Sequence, residues 1–262
     1  MFQYQTVAGR VVSQILVLIA IALLTAPLVM IALISLQGEG AGNYEIVIAT
    51  TPFLRFFFNS LVVSVTTVLL VLCCSIASAY AIATLRPRGS RVAMVLILAG
   101  MSLPAVALIV PLFYVVQSLG LLNTYAAVIV PLTAISIPFG ALVATNYIRS
   151  LPVELYEAAR IDGASNWVYF VRILIPMARP ILAVIAIFTF LAAWNEYLLP
   201  LIFIQNTDLQ TLTQVPTYFQ SQRLVDTPKI FAAGVLISLP IVIAYILMQK
   251  LFRQGMSAGA IK

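Results

Sequence analysis

The side chains that could do chemistry in this chain are few. Its 262 residues include 14 Lys and Arg, 8 Asp and Glu and no histidine. Without histidine, the chain cannot form the usual zinc site of a membrane protease, a histidine-ligated haem or an imidazole-based catalytic triad. No glycine-rich run ends in Lys followed by Ser or Thr, so a phosphate-binding loop for ATP is also missing. We therefore expect no catalytic residue, and no metal or cofactor bound by this chain.

Two cysteines and one glutamate are the remaining candidates. Cys73 and Cys74 are neighbours inside an apolar run, where a disulfide is strained and a metal lacks other ligands, so we interpret them as packing residues. Glu196 is the only ionisable residue inside a predicted membrane span. Its span is predicted to begin at Pro180 on the cytoplasmic side, and Glu196 lies about 24 Å along the helix from there. That position is near the outer end of the span and away from the midplane, where coupling ions bind. Glu196 either pairs at the outer surface or forms a gate or partner contact with Trp194 and Asn195.

The overall composition is that of an integral membrane protein. Hydrophobic residues make up 63% of the chain and charged residues only 8%, with a mean hydropathy of +1.10. Soluble domains carry about 25% charged residues. The net charge of +6 is scattered between long apolar runs, whereas a nucleic-acid binder gathers its basic residues on one solvated face. A lipid membrane is the expected environment, and nucleic acid is not an expected partner.

Runs without charge predict where the chain crosses the membrane, because a helix needs about 20 apolar residues to span it. The first run, residues 12–36, is longer than the apolar centre of a secretory signal, so we expect it to be the first membrane span. The 57 uncharged residues between Arg91 and Arg149 are too many for one crossing, so the chain must turn near residues 118–124. The prediction is an all-α polytopic protein, with residues 1–262 forming a single transmembrane domain. Its six spans are expected at 12–36, 56–85, 92–117, 124–147, 180–204 and 230–248.

The distribution of positive charge predicts the orientation, because Lys and Arg concentrate in cytoplasmic loops. One alternate set of loops contains eleven of them and the other contains three, which places both termini in the cytoplasm. The larger set is Arg10, Arg86, Arg88, Arg91, Arg149, Arg160, Arg172, Arg179, Lys250, Arg253 and Lys262. The smaller set is Arg55, Arg223 and Lys229.

The longest inward-facing segment, residues 149–179, is patterned as two short helices, and we call it the elbow loop. Ser150 is predicted to cap the first helix, Gly163 to end it in a left-handed conformation, and Ser165 to cap the second. The first helix carries apolar and charged residues on different sides. This pattern is compatible with a compact knob that binds a partner, and also with an interfacial helix that lies on lipid.

Particular residues of the elbow loop resemble a known family. Glu157-Ala158-Ala159, followed by Gly163 and later by Ile173-Leu174-Ile175-Pro176, is similar to the "EAA" loop of ABC importer permeases, although Ile175 stands where the family has Leu. The string EAARIDGAS resembles the carbohydrate, maltose-type branch. Three other segments resemble the same family more weakly and occur in the same order as in the family. The tail 249–262 is similar to the C-terminus of the second of the two permeases in such systems. These segments are Phe58-Asn59-Ser60-Leu61, Gly120-Leu121-Leu122-Asn123-Thr124 and Trp194-Asn195-Glu196.

The resemblance implies a subunit of an importer in the inner membrane of a bacterial or archaeal cell. Its partners would be a second permease, two ATPase subunits that hold the ATP and Mg, and an extracytoplasmic solute-binding protein. In the family the EAA loop docks on the ATPase. The resemblance assigns this docking role to Glu157, Ala158, Ala159 and Gly163, and more weakly to Asp162.

The predicted function is therefore transport of a sugar or sugar-like solute, without chemistry of its own. A polyol or glycerol phosphate is an alternative solute within the same class. A self-contained channel or secondary carrier is the alternative from another class, and it would have no reason to keep the elbow loop. Outer residues 37–55 and 205–229 are expected to dock the solute-binding protein, or to be polar only because they are solvated. No residue is assigned to solute binding.

Overall fold

A computed structural model describes residues 7–221 and 225–260, and these residues are overwhelmingly helical. The predicted all-α class is confirmed. π-helical turns at Ala81–Leu85 and Phe170–Leu174 extend two of the helices. The helices are α1 (Val7–Ser35), α2 (Gly42–Thr50), α3 (Phe53–Tyr80), α4 (Ser90–Met101), α5 (Ile109–Ser118), α6 (Ala126–Ser150), α7 (Glu154–Ile161), α8 (Asn166–Tyr169), α9 (Ile175–Met177), α10 (Arg179–Trp194), α11 (Leu198–Phe203) and α12 (Thr227–Ala260).

The helices compare with the predicted spans as follows. α1, α3, α6 and α12 are each long and apolar enough to cross a membrane, and the total reaches six if each of two bent helix pairs is one span. The third span, expected at 92–117, is sharply bent, because α4 and the following helical segment meet at 95°. Pro104 stands in this break, where its missing N–H costs no helical hydrogen bond. Six spans and cytoplasmic termini remain predictions; Arg223 and Lys262 lie outside the described residues.

The fifth span is also shorter than predicted. α10 ends at Trp194 instead of continuing to residue 204, and α11 follows as a separate short helix. Glu196 lies in the turn between them.

The two cysteines differ from expectation as well, because Cys73 and Cys74 are free and exposed on the outside of α3. An apolar run therefore predicted the helix correctly, but it did not predict which side faces the protein.

The chain divides into two compact units, and the smaller comprises Met1–Phe53 with Val215–Leu239. In it, the buried Asn43 donates hydrogen bonds to the carbonyl oxygens of Ser35 (2.9 Å) and Gln37 (2.7 Å) after the end of α1. Lys229 Nζ lies 2.7 Å from Asp226 Oδ2 and 3.5 Å from Glu39 Oε1. The hydrogen bond from Lys229 lowers the pKa of Asp226 below its usual value.

The larger unit, Leu54–Gln214 with Pro240–Lys262, contains two buried apolar clusters. One cluster joins the second half of α3 to the second half of α6, the start of α10 and the elbow loop. The other joins the first halves of α3 and α6 to α5, α11 and the end of α10. The three helices α3, α6 and α10 thus form the frame that connects the two ends of this unit.

α6 lies very close to α3 and α10 at Gly140. A Cβ atom there would lie 2.3 Å from Ser75 Oγ and 3.2 Å from Ile185 Cγ2. Small residues allow membrane helices to pack with their backbones close together. Gly140 is therefore required by the contact with α3 and α10, and not by its backbone conformation.

This contact gives a test of the frame. We expect Gly140→Ala to lower the free energy of unfolding by about 1–3 kcal/mol, because the added methyl group overpacks the interface. Gly234→Ala is the matched control, since nothing lies within 4 Å of its Cβ position. The midpoint of thermal unfolding in detergent measures both, and Ser75→Gly should partly restore Gly140→Ala. An unchanged midpoint for Gly140→Ala would contradict the packing described here.

Candidate functional site: the elbow loop

The elbow loop contains a sharp turn that its sequence specifies residue by residue. Gly163 adopts the left-handed conformation (φ +80°) at the end of α7. Its N–H donates to the carbonyl of Arg160 (3.1 Å), and the N–H of Ala164 donates to that of Ala159 (2.9 Å). This paired arrangement is a Schellman motif, which satisfies carbonyls that a helix end leaves free. The glycine stop predicted at this position is confirmed.

The second helix starts as predicted, and the first does not. The Oγ atom of Ser165 accepts a hydrogen bond from the N–H of Val168 (3.2 Å), so Ser165 caps α8. The expected cap by Ser150 is wrong, because α7 begins at Glu154 without a side-chain cap. Ser150 is the last residue of α6, and its hydroxyl donates to the carbonyl of Tyr147 (2.7 Å). The sequence placed the helix start three residues too early, because α6 runs to Ser150 and so further than expected.

Tyrosine hydroxyl groups fasten the elbow loop to the ends of two long helices. Tyr80, the last residue of α3, donates to the carbonyl of Asn166 (3.2 Å), and Tyr156 donates to Asn166 Oδ1 (2.9 Å). Tyr147 of α6 donates to the carbonyl of Met177 (2.9 Å). The phenol rings bury apolar surface, while the hydroxyls of Tyr80 and Tyr147 satisfy backbone carbonyls and that of Tyr156 satisfies a side-chain amide. The elbow loop is therefore attached to α3 and α6 and is continuous with α10.

The two alanines of the motif face in different directions. Ala159 is only 6% exposed and belongs to the buried cluster with Tyr80 and Tyr169. Ala158 is exposed, as are Glu157, Asp162 and Gly163. The five residues assigned to ATPase docking therefore lie on α7 and on the turn that follows it, and Ala159 is the one that packs inward.

Large apolar side chains surround this turn and are open to solvent. Ile161 is 86% exposed and Trp167 is 71% exposed, and Val153 is exposed as well. Exposed apolar patches with a polar rim mark surfaces that bind a partner or lipid. The predicted site omitted Ile161 and Trp167, because a helical period indicates an apolar side without showing whether that side is covered.

A cavity of about 200 Å³ lies beside the elbow loop, at the ends of α3 and α6. It is lined by Arg86 and Arg149 and by the rings of Tyr156 and Tyr169, among others. Arg86 has a left-handed backbone (φ 47°), and its Nε donates to the carbonyl of Ala83 (3.0 Å). Cations at helix C-termini are stabilised by the helix dipole, and this accounts for Arg86 and Arg149 at these positions.

Trp194, Asn195 and Glu196, the weak candidates for a gate or outer-face contact, make contacts within the chain. Trp194 is 1% exposed and stacks on Phe190 (ring centroids 5.4 Å apart). Asn195 Nδ2 donates to the carbonyl of Leu191 (2.9 Å) at the end of α10. Glu196 Oε1 accepts from the N–H of Leu199 (3.0 Å) and thereby caps the start of α11. Capping thus gives Glu196 a structural role, and a gate or partner contact remains a prediction.

Solved structures of known proteins share this fold. A chain from the crystal structure of a bacterial ABC transporter involved in the import of the acidic polysaccharide alginate matches with a TM-score of 0.78 at 22% identity, covering 96% of this chain and all of that one. A chain of the MetNI methionine ABC transporter, in an inward-facing conformation, matches with a TM-score of 0.64 over 78% of this chain and 95% of that one. The fold is that of the membrane subunits of ABC importers.

Residues 71–258 match the family described as "Binding-protein-dependent transport system inner membrane component". The chain belongs to this family, and it is an inner-membrane transport component rather than an enzyme. The diacetylchitobiose uptake system permease protein of Streptomyces coelicolor is 36% identical over 210 residues, which are 79% of this chain and 70% of that protein. The melibiose/raffinose/stachyose import permease protein of Bacillus subtilis is 32% identical over 79% of this chain and 75% of its own length. The recognition made from the EAA loop is confirmed.

Membership of a binding-protein-dependent family implies an ATPase and a solute-binding protein as partners. Among the described residues, no cluster of three or more His, Cys, Asp or Glu side chains is placed to hold a metal ion.

The cap at Ser165 gives a test of the elbow loop's geometry. We expect Ser165→Ala to destabilise α8 by about 0.5–2 kcal/mol, because one N–H at its start loses its partner. Hydrogen exchange of the segment 166–177 in the detergent-purified protein should become faster. Ser150→Ala is the matched control, because the Ser150 hydroxyl caps no helix start. Equal exchange in the two variants would refute the cap.

Proposed function

We propose that this chain is one of two permease subunits of an ATP-driven importer for a sugar or sugar-like solute, and that its elbow loop docks on the ATPase. The observation that carries the proposal is the exposed turn at Glu157, Ala158 and Gly163, with open apolar side chains beside it. Half of the translocation pathway would belong to this chain and half to the second permease. Two ATPase subunits supply the ATP and Mg sites.

The chemistry of the turn suits a protein partner better than a lipid surface. Ile161 and Trp167 offer apolar area for burial, while Glu157, Arg160 and Asp162 place both signs of charge around it. Apolar area supplies most of the affinity of an interface, and charges fix its register. An interfacial helix on anionic lipid instead favours basic residues on its polar face. The two carboxylates of the turn argue against that alternative.

The attachment of the elbow loop suits a joint that transmits motion. The loop is bonded to the ends of α3 and α6 and leads directly into α10. A displacement of the turn by closing ATPases would therefore move three packed helices together, as in other rigid-body transitions. Alternating access would follow from these helices rocking against those of the second permease.

The solute class rests on the relatives. Two of them are named for the uptake of diacetylchitobiose and for the import of melibiose, raffinose and stachyose. A third, from Agrobacterium fabrum, is named for the transport of sulfoquinovosyl glycerol. All are sugars or glycosides. A polyol or glycerol phosphate is the alternative solute, and a self-contained channel or carrier is the alternative class.

Co-purification tests the assembly. The chain is tagged in its native membrane and extracted in mild detergent, and the recovered proteins are identified by mass spectrometry. Recovery of a second permease, an ATPase and a solute-binding protein supports the proposal, and the ligand of that binding protein identifies the solute. Repeated recovery of the folded chain alone would favour a self-contained carrier.

The two alanines of the elbow loop allow a sharper test in the same experiment. Ala158→Trp should lower ATPase recovery about tenfold, because the new ring occupies the exposed docking turn, while the thermal midpoint of the isolated chain stays unchanged. Ala159→Trp should instead lower that midpoint, because Ala159 is buried within the chain. Normal ATPase recovery with Ala158→Trp would show that the ATPase binds elsewhere.

The conformation of Gly163 gives a test of coupling. Gly163→Val should leave the protein inserted but separate ATP hydrolysis from uptake, because a β-branched residue is strained at φ +80°. Gly163→Asn is the matched control, since asparagine tolerates this conformation. Solute uptake and ATPase activity are measured in the same proteoliposomes. Normal uptake with Gly163→Val would contradict the assignment.

A further inference from the structure

The cavity beside the elbow loop is lined by positive charge without any negative charge. Arg86 and Arg149 line it, and none of its lining residues is an acid. Glu154 and Glu157, the carboxylates of the adjoining helix α7, do not line it. Its remaining polar lining residues are Thr84, Tyr156 and Tyr169. The charge of this cavity therefore favours an anion as its ligand.

Most hydrogen-bond donors of these two arginines are unused. A guanidinium carries five N–H donors, and Arg86 gives only its Nε–H to the carbonyl of Ala83 (3.0 Å). The side chain of Arg149 makes no hydrogen bond among the described residues. The ion pairs between described side chains involve Arg55 and Lys229, and neither Arg86 nor Arg149 takes part in them. Helix dipoles favour cations at these helix ends, but they leave the N–H donors free for a ligand.

The size of the cavity limits the anion to a small group. Its volume is about 200 Å³, whereas pockets for drug-sized ligands measure about 300–1,000 Å³. A phosphate group suits this volume better than a nucleotide or an oligosaccharide. Arginine is well matched to phosphate, because its planar fork can donate two parallel hydrogen bonds. Tyr156 and Tyr169, whose ring centroids lie 4.9 Å apart in an edge-to-face contact, form one wall.

The cavity lies where two candidate membrane spans end. The span that includes α3 covers Phe53–Leu85, which is 33 residues or about 50 Å, and α6 covers 25 residues or about 38 Å. Each is longer than the hydrocarbon core of a bilayer, which is about 30 Å thick, so its ends reach the headgroup layer. Arg86 directly follows Leu85, and Arg149 is the second-last residue of α6. Both arginines are therefore at the depth of lipid phosphates.

Exposed apolar side chains lie next to the arginines. Leu85, immediately before Arg86, is 43% exposed, and Val153, which lines the cavity, is 57% exposed. Apolar surface of this kind can contact the acyl chains of a lipid, whereas a free phosphate ion gains nothing from it. Basic pockets between membrane helices are known to bind anionic lipid headgroups. The surroundings thus favour a lipid over a soluble ion as the source of the phosphate.

We propose that this cavity binds the phosphate group of an anionic phospholipid, and that Arg86 and Arg149 are the residues that hold it. The two arginines come from the ends of α3 and α6, so one headgroup bridges both helices next to the start of the elbow loop. The inference goes beyond the proposed function, because it requires only that the chain lies in a membrane. It holds whether or not the elbow loop docks on an ATPase.

Lipid binding is tested on the full chain, delipidated in detergent and titrated with phosphatidylglycerol under native mass spectrometry. Arg149→Gln should weaken binding about tenfold, as expected for the loss of one charge-assisted contact. Arg86→Gln should act in the same direction, but Arg149→Gln is the cleaner variant, because its side chain has no hydrogen bond within the described chain to lose. Arg88→Gln is the matched control, since Arg88 is exposed and does not line the cavity. Its binding should stay within about twofold of the wild type.

A lysine variant separates a built site from attraction by charge alone. Arg149→Lys keeps the positive charge but loses the planar pair of donors, so its affinity should fall between those of the wild type and Arg149→Gln. Equal weakening by Arg149→Gln and Arg88→Gln would overturn the inference, because the lipid would then respond only to the total charge of this surface. Wild-type affinity in both Arg86→Gln and Arg149→Gln would overturn it as well.

Hydrogen exchange locates the ligand and identifies its source. Phosphatidylglycerol should slow the exchange of amides 151–157 in the wild type and not in Arg149→Gln. Phosphatidylcholine with the same acyl chains, whose headgroup has no net charge, should protect these amides less, and inorganic phosphate should not protect them. Protection by inorganic phosphate without a preference for phosphatidylglycerol would assign the cavity to a soluble ion and overturn the lipid source. Equal protection by the two lipids would overturn the role of the headgroup charge.

Discussion

The contact between α3, α6 and α10 at Gly140 is the constraint on which the larger unit depends. Ser75 and Ile185 approach the backbone of α6 so closely that a single methyl group has no room. In a bilayer, an apolar side chain gains little free energy by moving from lipid into a helix interface. Close packing of small residues therefore contributes more to holding membrane helices together. Because buried clusters join these three helices near each of their ends, structures at the two ends share one support.

Each end of this support is completed by polar groups that satisfy backbone atoms. Tyr80 and Tyr147 do so at the elbow loop, and Asn59, Asn123 and Ser60 do so at residues 205–214. Irregular backbone is tolerated in a membrane protein where such partners exist. The two irregular segments are therefore each held in one arrangement by hydrogen bonds to the helices.

Family membership and local geometry support each other without resting on the same residues. The matching region, 71–258, includes the elbow loop and both polar segments near Asn123 and Trp194, but it begins after Asn59. Asn59 nevertheless bonds to residues inside that region from α3. The transport class rests on the family, whereas the shape of each end rests on contacts within the chain.

The sequence by itself determined the helical class, the membrane environment, the glycine turn at Gly163, the cap at Ser165 and the family. Each of these depends on local composition or on a few neighbouring residues, so no distant contact was needed to predict it. Tertiary structure alone decided that α10 ends at Trp194, and that Ala158 is exposed while Ala159 is buried. Tertiary structure also brought Asn59, Asn123 and Glu196 into hydrogen bonds with one segment, residues 205–214. Hydropathy and helical period describe a helix without its neighbours, and burial and polar pairing depend on those neighbours.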